Sequence, residues 1–171
     1  MLIGLSIKDV VLIDQLHLDF QKGFSILTGE TGAGKSILLD SLSLALGMRG
    51  DPSFIRQGAD QAVVTVEFDL KELPSHHPFW KLTEEQGWEI ENSILILRRI
   101  LHKTDRSRAF INDQNVSIKT LREVGNLILE IHSQFDHLFD TSIHQEMLDR
   151  FAHHLDPTLH SVLEKVKQAY E

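Results

Sequence analysis

Apolar residues alternate with polar ones at Ile3, Leu5 and Ile7, and again at Leu16, Leu18 and Phe20, the two-residue period of half-buried strands. The apolar run from Val10 to Ile13 lies between them. Gln21-Lys22-Gly23 is a turn signal, and Phe24 to Leu27 predicts a short strand. Helical spacing begins at Ser36, where Leu38, Leu39, Leu42, Ala45 and Leu46 are expected to share a buried face. Gly47 is placed to stop that helix in the left-handed conformation. Residues 48–60 read as a loop, and Val64, Val66, Phe68 and Leu70 as a strand. Residues 73–87, with Pro74, Pro78, His76 and His77, read as an excursion. Ile94 to Leu101 predicts a strongly apolar strand, followed by a charged turn over 102–108, a strand over 109–111 and a turn at Asn112-Asp113. Ser117 is a cap for a helix from Ile118 to about Gly125. Leu127 to Ile131 reads as a buried strand and Ser142 to Phe151 as a helix. After Pro157, the spacing of Leu159, Val162, Val166 and Ala169 fits both a heptad seam and an ordinary amphipathic helix.

Between the strand expected at 24–27 and the helix expected from Ser36 stands Gly29-Glu30-Thr31-Gly32-Ala33-Gly34-Lys35-Ser36. It matches GxxxxGK[ST] at every fixed position. A chance match in a chain of this length is on the order of 1% from typical residue frequencies, and the strand–loop–helix context lowers it further. The chemistry explains the residue types. Backbone N–H groups must close around an anion without obstruction, which Gly29, Gly32 and Gly34 permit. The helix start adds unpaired N–H groups and the positive end of its dipole. Lys35 is expected to reach the β- and γ-phosphates of ATP and the Ser36 hydroxyl to ligate Mg²⁺. Glu30, Thr31, Ala33 and Ile37 complete the nucleotide-binding stretch.

Composition narrows the class. The 171 residues fit one domain or one large lobe. There is no cysteine, which excludes thiolate metal sites and Cys nucleophiles. The net charge of −8 argues against a dedicated nucleic-acid-binding domain, which is usually basic. No secretory leader and no apolar run of roughly 20 residues is evident, so a cytoplasmic location without membrane contact is expected. The ten histidines do not form a ligand pattern: His132 and His137 are five apart, and His76-His77 and His153-His154 are adjacent pairs that point apart in regular structure.

Other motifs are partial. Val10 to Asp14 imitates a Walker B strand but precedes the phosphate loop, so Asp14 reads as the polar end of a strand. His102-Lys103-Thr104-Asp105 differs from the guanine-reading NKxD by its His, and no Asp is followed by Gly three positions later. No Gly-Gly pair stands for an LSGGQ-like signature, and no apolar strand after the loop ends in Asp-Glu. Arg98, Arg99, Arg106 and Arg108, with Lys103, concentrate positive charge in an acidic chain. They read either as a solvated hairpin tip or as a contact to phosphate, on DNA or on the nucleotide of a partner head.

Three stretches carry a family resemblance. They are Gly29 to Leu38; Arg106-Ser107-Arg108-Ala109-Phe110-Ile111-Asn112 with Val116 and Leu121-Arg122-Glu123; and Glu130-Ile131-His132-Ser133-Gln134-Phe135-Asp136-His137 continued by Leu148-Asp149-Arg150-Phe151-Ala152. Together they resemble the N-terminal ATPase-head segment of the RecN family, SMC-like bacterial proteins of double-strand-break repair. Ser133 and Phe135 depart from the family's usual Gly and His. The resemblance implies an α/β P-loop NTPase fold, an ABC/SMC-like head lobe with a mixed sheet and an antiparallel N-terminal β portion. It implies that residues 1–156 form this lobe and 157–171 begin a coiled-coil arm. It also implies that Gln134 is the glutamine that touches Mg²⁺ and places the attacking water; without the resemblance, a lone Gln there reads as a solvated turn. ATP hydrolysis would then require the protein's own C-terminal lobe, carrying the signature and Walker B, and head dimerisation. The implied partners are DNA ends, a second copy and the RecA recombinase, in the nucleoid-associated cytoplasm. The alternatives are a self-contained P-loop kinase or GTPase, and an ABC-transporter ATPase.

Overall fold

The computed structural model describes residues 1–28, 34–104, 106–129 and 131. Six strands, β1 (Leu2–Val10), β2 (Ile13–Asp19), β3 (Gln61–Asp69), β4 (Ile94–His102), β5 (Arg108–Ile111) and β6 (Gln114–Val116), form one sheet in the order β2-β1-β3-β4-β5-β6. Three helices accompany it: α1 (Lys35–Ala45), α2 (Pro78–Gln86) and α3 (Ile118–Ile128).

The two-residue period of the strands builds the core. Cross-strand register aligns Leu5, Val66, Leu97 and Ile111 in one row, and Ile7, Val64, Arg99 and Ala109 in the next. Every member of both rows is buried. Helix α1 packs on β3, β1 and β4, and α3 packs on β5. They contribute buried Leu44, Ala45, Leu121 and Val124. Each buried Leu or Val side chain among them stabilises the fold by roughly 1.5–3 kcal/mol through lost contact with water, and the Ala45 methyl by less. The odd member is Arg99, a cation in an apolar row.

Left-handed backbone recurs at the turns, and two cases bear on the sheet. Asn112 (φ 42°) and Asp113 (φ 65°) join β5 to β6, the geometry that Asn and Asp tolerate in tight hairpins. Val11 at φ 47° is a β-branched residue held where its side chain is crowded.

Several sequence expectations change. All five strand pairings are antiparallel, so the α/β class stands but the sheet is not mixed among the described residues. Phe24 to Leu27 is not a strand; among the described residues it pairs with no strand, and Phe24 is 91% exposed and Ile26 71%. Leu127 and Ile128 belong to α3, not to a strand, because the helical face of Leu121 and Val124 continues through them. The buried face of α1 is Ser41, Leu44 and Ala45, while Leu39, expected in the core, is half exposed. The excursion at 73–87 contains α2. Pro78 starts it, His77 Nδ1 accepts from Phe79 N–H, and left-handed Gly87 ends it. The expected helix at 142–151 and the heptad seam lie outside the described residues. No described helix is long and apolar enough to cross a membrane.

Candidate nucleotide site and arginine cluster

Helix α1 begins where the glycine-rich motif ends. Gly34 caps it at φ 96°, ψ −2° without a side-chain hydrogen bond. A Cβ at Gly34 would meet nothing within 4 Å, so glycine is needed there for its backbone angle rather than for space. The Leu38 N–H donates to the Gly34 carbonyl at 3.1 Å, closing the first turn. That turn contains no acidic residue. The positive end of the helix is therefore not neutralised by a carboxylate of its own, which suits an incoming anion. Lys35 and Ser36 occupy the first turn, Ser36 exposed and Ile37 half-buried. Gly29, Glu30, Thr31, Gly32, Ala33 and Gln134 lie outside the described residues.

The far end of α1 is fixed tightly. Gly47, at φ 88°, ends it, and a Cβ there would stand 2.5 Å from the Arg122 backbone nitrogen. A Cβ on Gly125 would stand 2.7 Å from the Leu46 carbonyl oxygen. Arg122 Nε donates to the Gly47 carbonyl at 3.0 Å, a cation at a helix C-terminus where the dipole favours it. Only glycine permits the backbones of α1 and α3 to approach this closely, a role not read from the sequence at Gly125.

The four arginines separate. Arg98 Nη2 donates to Asp113 Oδ1 at 2.7 Å, and its guanidinium lies 4.8 Å from the Phe110 ring centroid. Arg99 is 2% exposed and donates through Nη2 to Ser107 Oγ at 2.9 Å. Among the described residues its Nε and Nη1 have no hydrogen-bond partner. Burial, and secondarily the Arg122 charge, hold its pKa below the ordinary arginine value. Arg99 therefore does not reach a ligand at the surface, and Arg98 is already paired. Arg106 and Arg108 are exposed and line one recess of about 560 Å³ with Ser107, Asn115, Val116, Ser117 and Ile118. Asn115 and Ser117 were not singled out for this role; Ser117 was legible only as a cap. Val10 to Asp14 is not one strand: Val11 and Leu12 form the turn between β1 and β2, and Asp14, the second residue of β2, pairs with Arg56 at 3.4 Å.

The glycine-rich motif, the sheet and its flanking helices place the chain in the α/β P-loop NTPase class. The family profile described as an AAA domain matches residues 5–170, and the chain belongs to that family. It is 37% identical over 173 residues to the DNA repair protein RecN of Bacillus subtilis, covering 100% of this chain and 29% of that protein. It is 38% identical over 175 residues to RecN of Vibrio cholerae, covering 100% and 30%. The resemblance to an N-terminal RecN ATPase segment is thus shown, and the chain spans less than a third of the length of these curated relatives. Among solved structures, an SMC head domain with a coiled coil and joint from Pyrococcus yayanosii superposes with a TM-score of 0.62 at 18% identity, covering 99% of this chain and 36% of that one. An SMC ATPase described for ATP-driven dimerisation and DNA-stimulated activation superposes at 0.58 with 19% identity, covering 85% and 90%. Those two likenesses show the fold.

Proposed function

We propose that this chain is the ATP-binding N-terminal half of an SMC-like ATPase head acting in DNA double-strand-break repair and recombination. The observation that carries the reading is the start of α1. The motif Gly29 to Ser36 ends in a left-handed Gly34 that opens a helix with an acid-free first turn. Backbone N–H groups of the loop and helix start would cradle the triphosphate. Lys35 would bring a full positive charge to the β- and γ-phosphates, and the Ser36 hydroxyl would hold Mg²⁺ with Gln134. The metal ion supplies charge neutralisation between the phosphates. Gln134 then orients the attacking water.

Hydrolysis needs more than these residues provide. The chain has no signature motif and no identified base. Apolar side chains stand ready for further packing: Phe24 is 91% exposed, Ile26 71%, Leu27 50% and Leu39 50%. Isolated apolar residues at a surface are ordinary, but three of these four lie within four residues beside the phosphate loop. They suit cover by the protein's own C-terminal lobe, with head dimerisation completing the catalytic site. On this reading residues 157–171 start the coiled-coil arm, DNA ends and the RecA recombinase are partners of the whole protein, and it works in the cytoplasm.

The test is Lys35→Ala in the full-length protein, with nucleotide affinity and turnover measured together. Both are expected to fall severely. Wild-type values for both would remove the phosphate-loop assignment. Gln134→Ala is expected to lower kcat more than it weakens nucleotide Kd. A loss in Kd matched by kcat/KM with kcat unchanged would show that Gln134 only binds.

A further inference from the structure

We propose that the recess between β5, β6 and the start of α3 is a second phosphate site, separate from the phosphate loop, and that its ligand is the phosphodiester backbone of DNA. This rests on the reading of the whole protein as a DNA-acting ATPase.

Two exposed arginines, Arg106 and Arg108, line that recess, and among the described residues no acid is paired with either side chain. Arg98 shows the contrast, since Asp113 accepts from it. In a chain of net charge −8, two neighbouring arginine side chains without an acidic partner among the described residues are informative. Their planar forks bond two oxygens of one phosphate at once.

The start of α3 adds to the same field. Ser117 Oγ accepts from the Thr120 N–H at 3.0 Å, and the first turn contains no acidic residue. The N–H groups of Ile118 and Lys119 have no acceptor within the helix. Ser117 and Ile118 both line the recess.

A buried charge behind the wall points the same way. Arg99, 2% exposed, directs its Nη2 at Ser107 Oγ, and Ser107 is part of the recess lining. Two of its nitrogens have no hydrogen-bond partner among the described residues. A buried cation without a counter-ion costs free energy, and Arg122 beside it adds repulsion. An anion seated against Ser107 offsets that cost, and water cannot do so with a charge.

This is not the chain's own nucleotide site. The phosphate motif opens α1, and α3 meets the opposite end of α1 through Arg122 and Gly47. Eleven helical residues separate the two ends by about 16 Å.

The experiment uses the full-length protein with a blunt-ended DNA duplex, its affinity measured across a salt series. The proteins compared are wild type, Arg106→Gln/Arg108→Gln and Arg106→Lys/Arg108→Lys, and each is also assayed for ATP turnover without DNA. The Gln pair is expected to lower the slope of log K against log salt by about 1.8, from about 0.9 per lost duplex phosphate contact. The Lys pair is expected to keep most of the slope, and DNA-free turnover to stay at the wild-type level. Should the Gln pair fail to fold, each single Gln variant is expected to lose about 0.9 of slope. An unchanged slope in the folded Gln variants overturns the proposal. If the slope holds while DNA-free turnover falls, the phosphate belongs to the nucleotide of a partner head, and the DNA assignment is wrong. If wild-type protein itself shows no salt-dependent DNA binding, the DNA-repair reading fails before the recess is in question.

Discussion

The glycine just past the end of α1 is required for a different reason from the glycine that opens it. Gly34 meets open space, whereas Gly47 combines φ +88° with a Cβ position 2.5 Å from Arg122 backbone. Gly58 is the control, with φ +92° and nothing within 4 Å. Gly47→Ala is expected to destabilise the protein by about 2 kcal/mol or more, since backbone strain and a backbone clash add. Gly58→Ala carries the strain alone and is expected to cost about 1–2 kcal/mol. Thermal melting of the two variants checks the order; equal losses would mean that the α1–α3 contact yields without cost. Val11 runs the other way. Held at φ 47°, it is expected to gain roughly 1 kcal/mol on replacement by Asn, which tolerates that conformation. A lower melting temperature for Val11→Asn would show that its side chain contributes more than its backbone strain costs.

At the scale of elements, alternation carried most of the information. The inward positions of β3 and β4 were legible because apolar residues fall at every second place, Val64, Val66, Phe68 and Leu95, Leu97, Leu101. Arg99 falls in the same phase, yet its charge groups it on paper with the exposed arginines; only the register against Val64 and Ala109 places it inside. Helix α2 was hidden because prolines and histidines around it resemble a loop, although Pro78 and Gly87 are a helix start and stop. The runs at Phe24 and Leu127 were misread for one reason: a short apolar run does not state whether a neighbour exists to pair with it. The cap at Ser117 was legible and is formed. Ser117→Ala is expected to cost about 0.5–2 kcal/mol of stability, read as a lower melting temperature. An unchanged value would mean that the recess residues, not the cap, hold this helix start.

For the whole molecule, the proposed nucleotide site is stated by eight consecutive residues because its chemistry is mostly backbone geometry set by glycine; five of them, 29–33, lie outside the described residues. The arginine recess was only half readable, since it is assembled from residues 106–108, 115–118 and the buried Arg99 on another strand. The central claim is that the phosphate loop of this chain forms a half-site, able to hold Mg·ATP but not to hydrolyse it without the rest of the protein. Steady-state ATP hydrolysis by rigorously purified full-length protein and isolated chain, each with Lys35 and with Lys35→Ala, tests it most directly. The expected result is turnover by the full-length protein alone, lost in its Lys35→Ala variant, with the isolated chain at background. Turnover by the isolated chain that disappears in Lys35→Ala would contradict the claim and favour a self-contained P-loop enzyme.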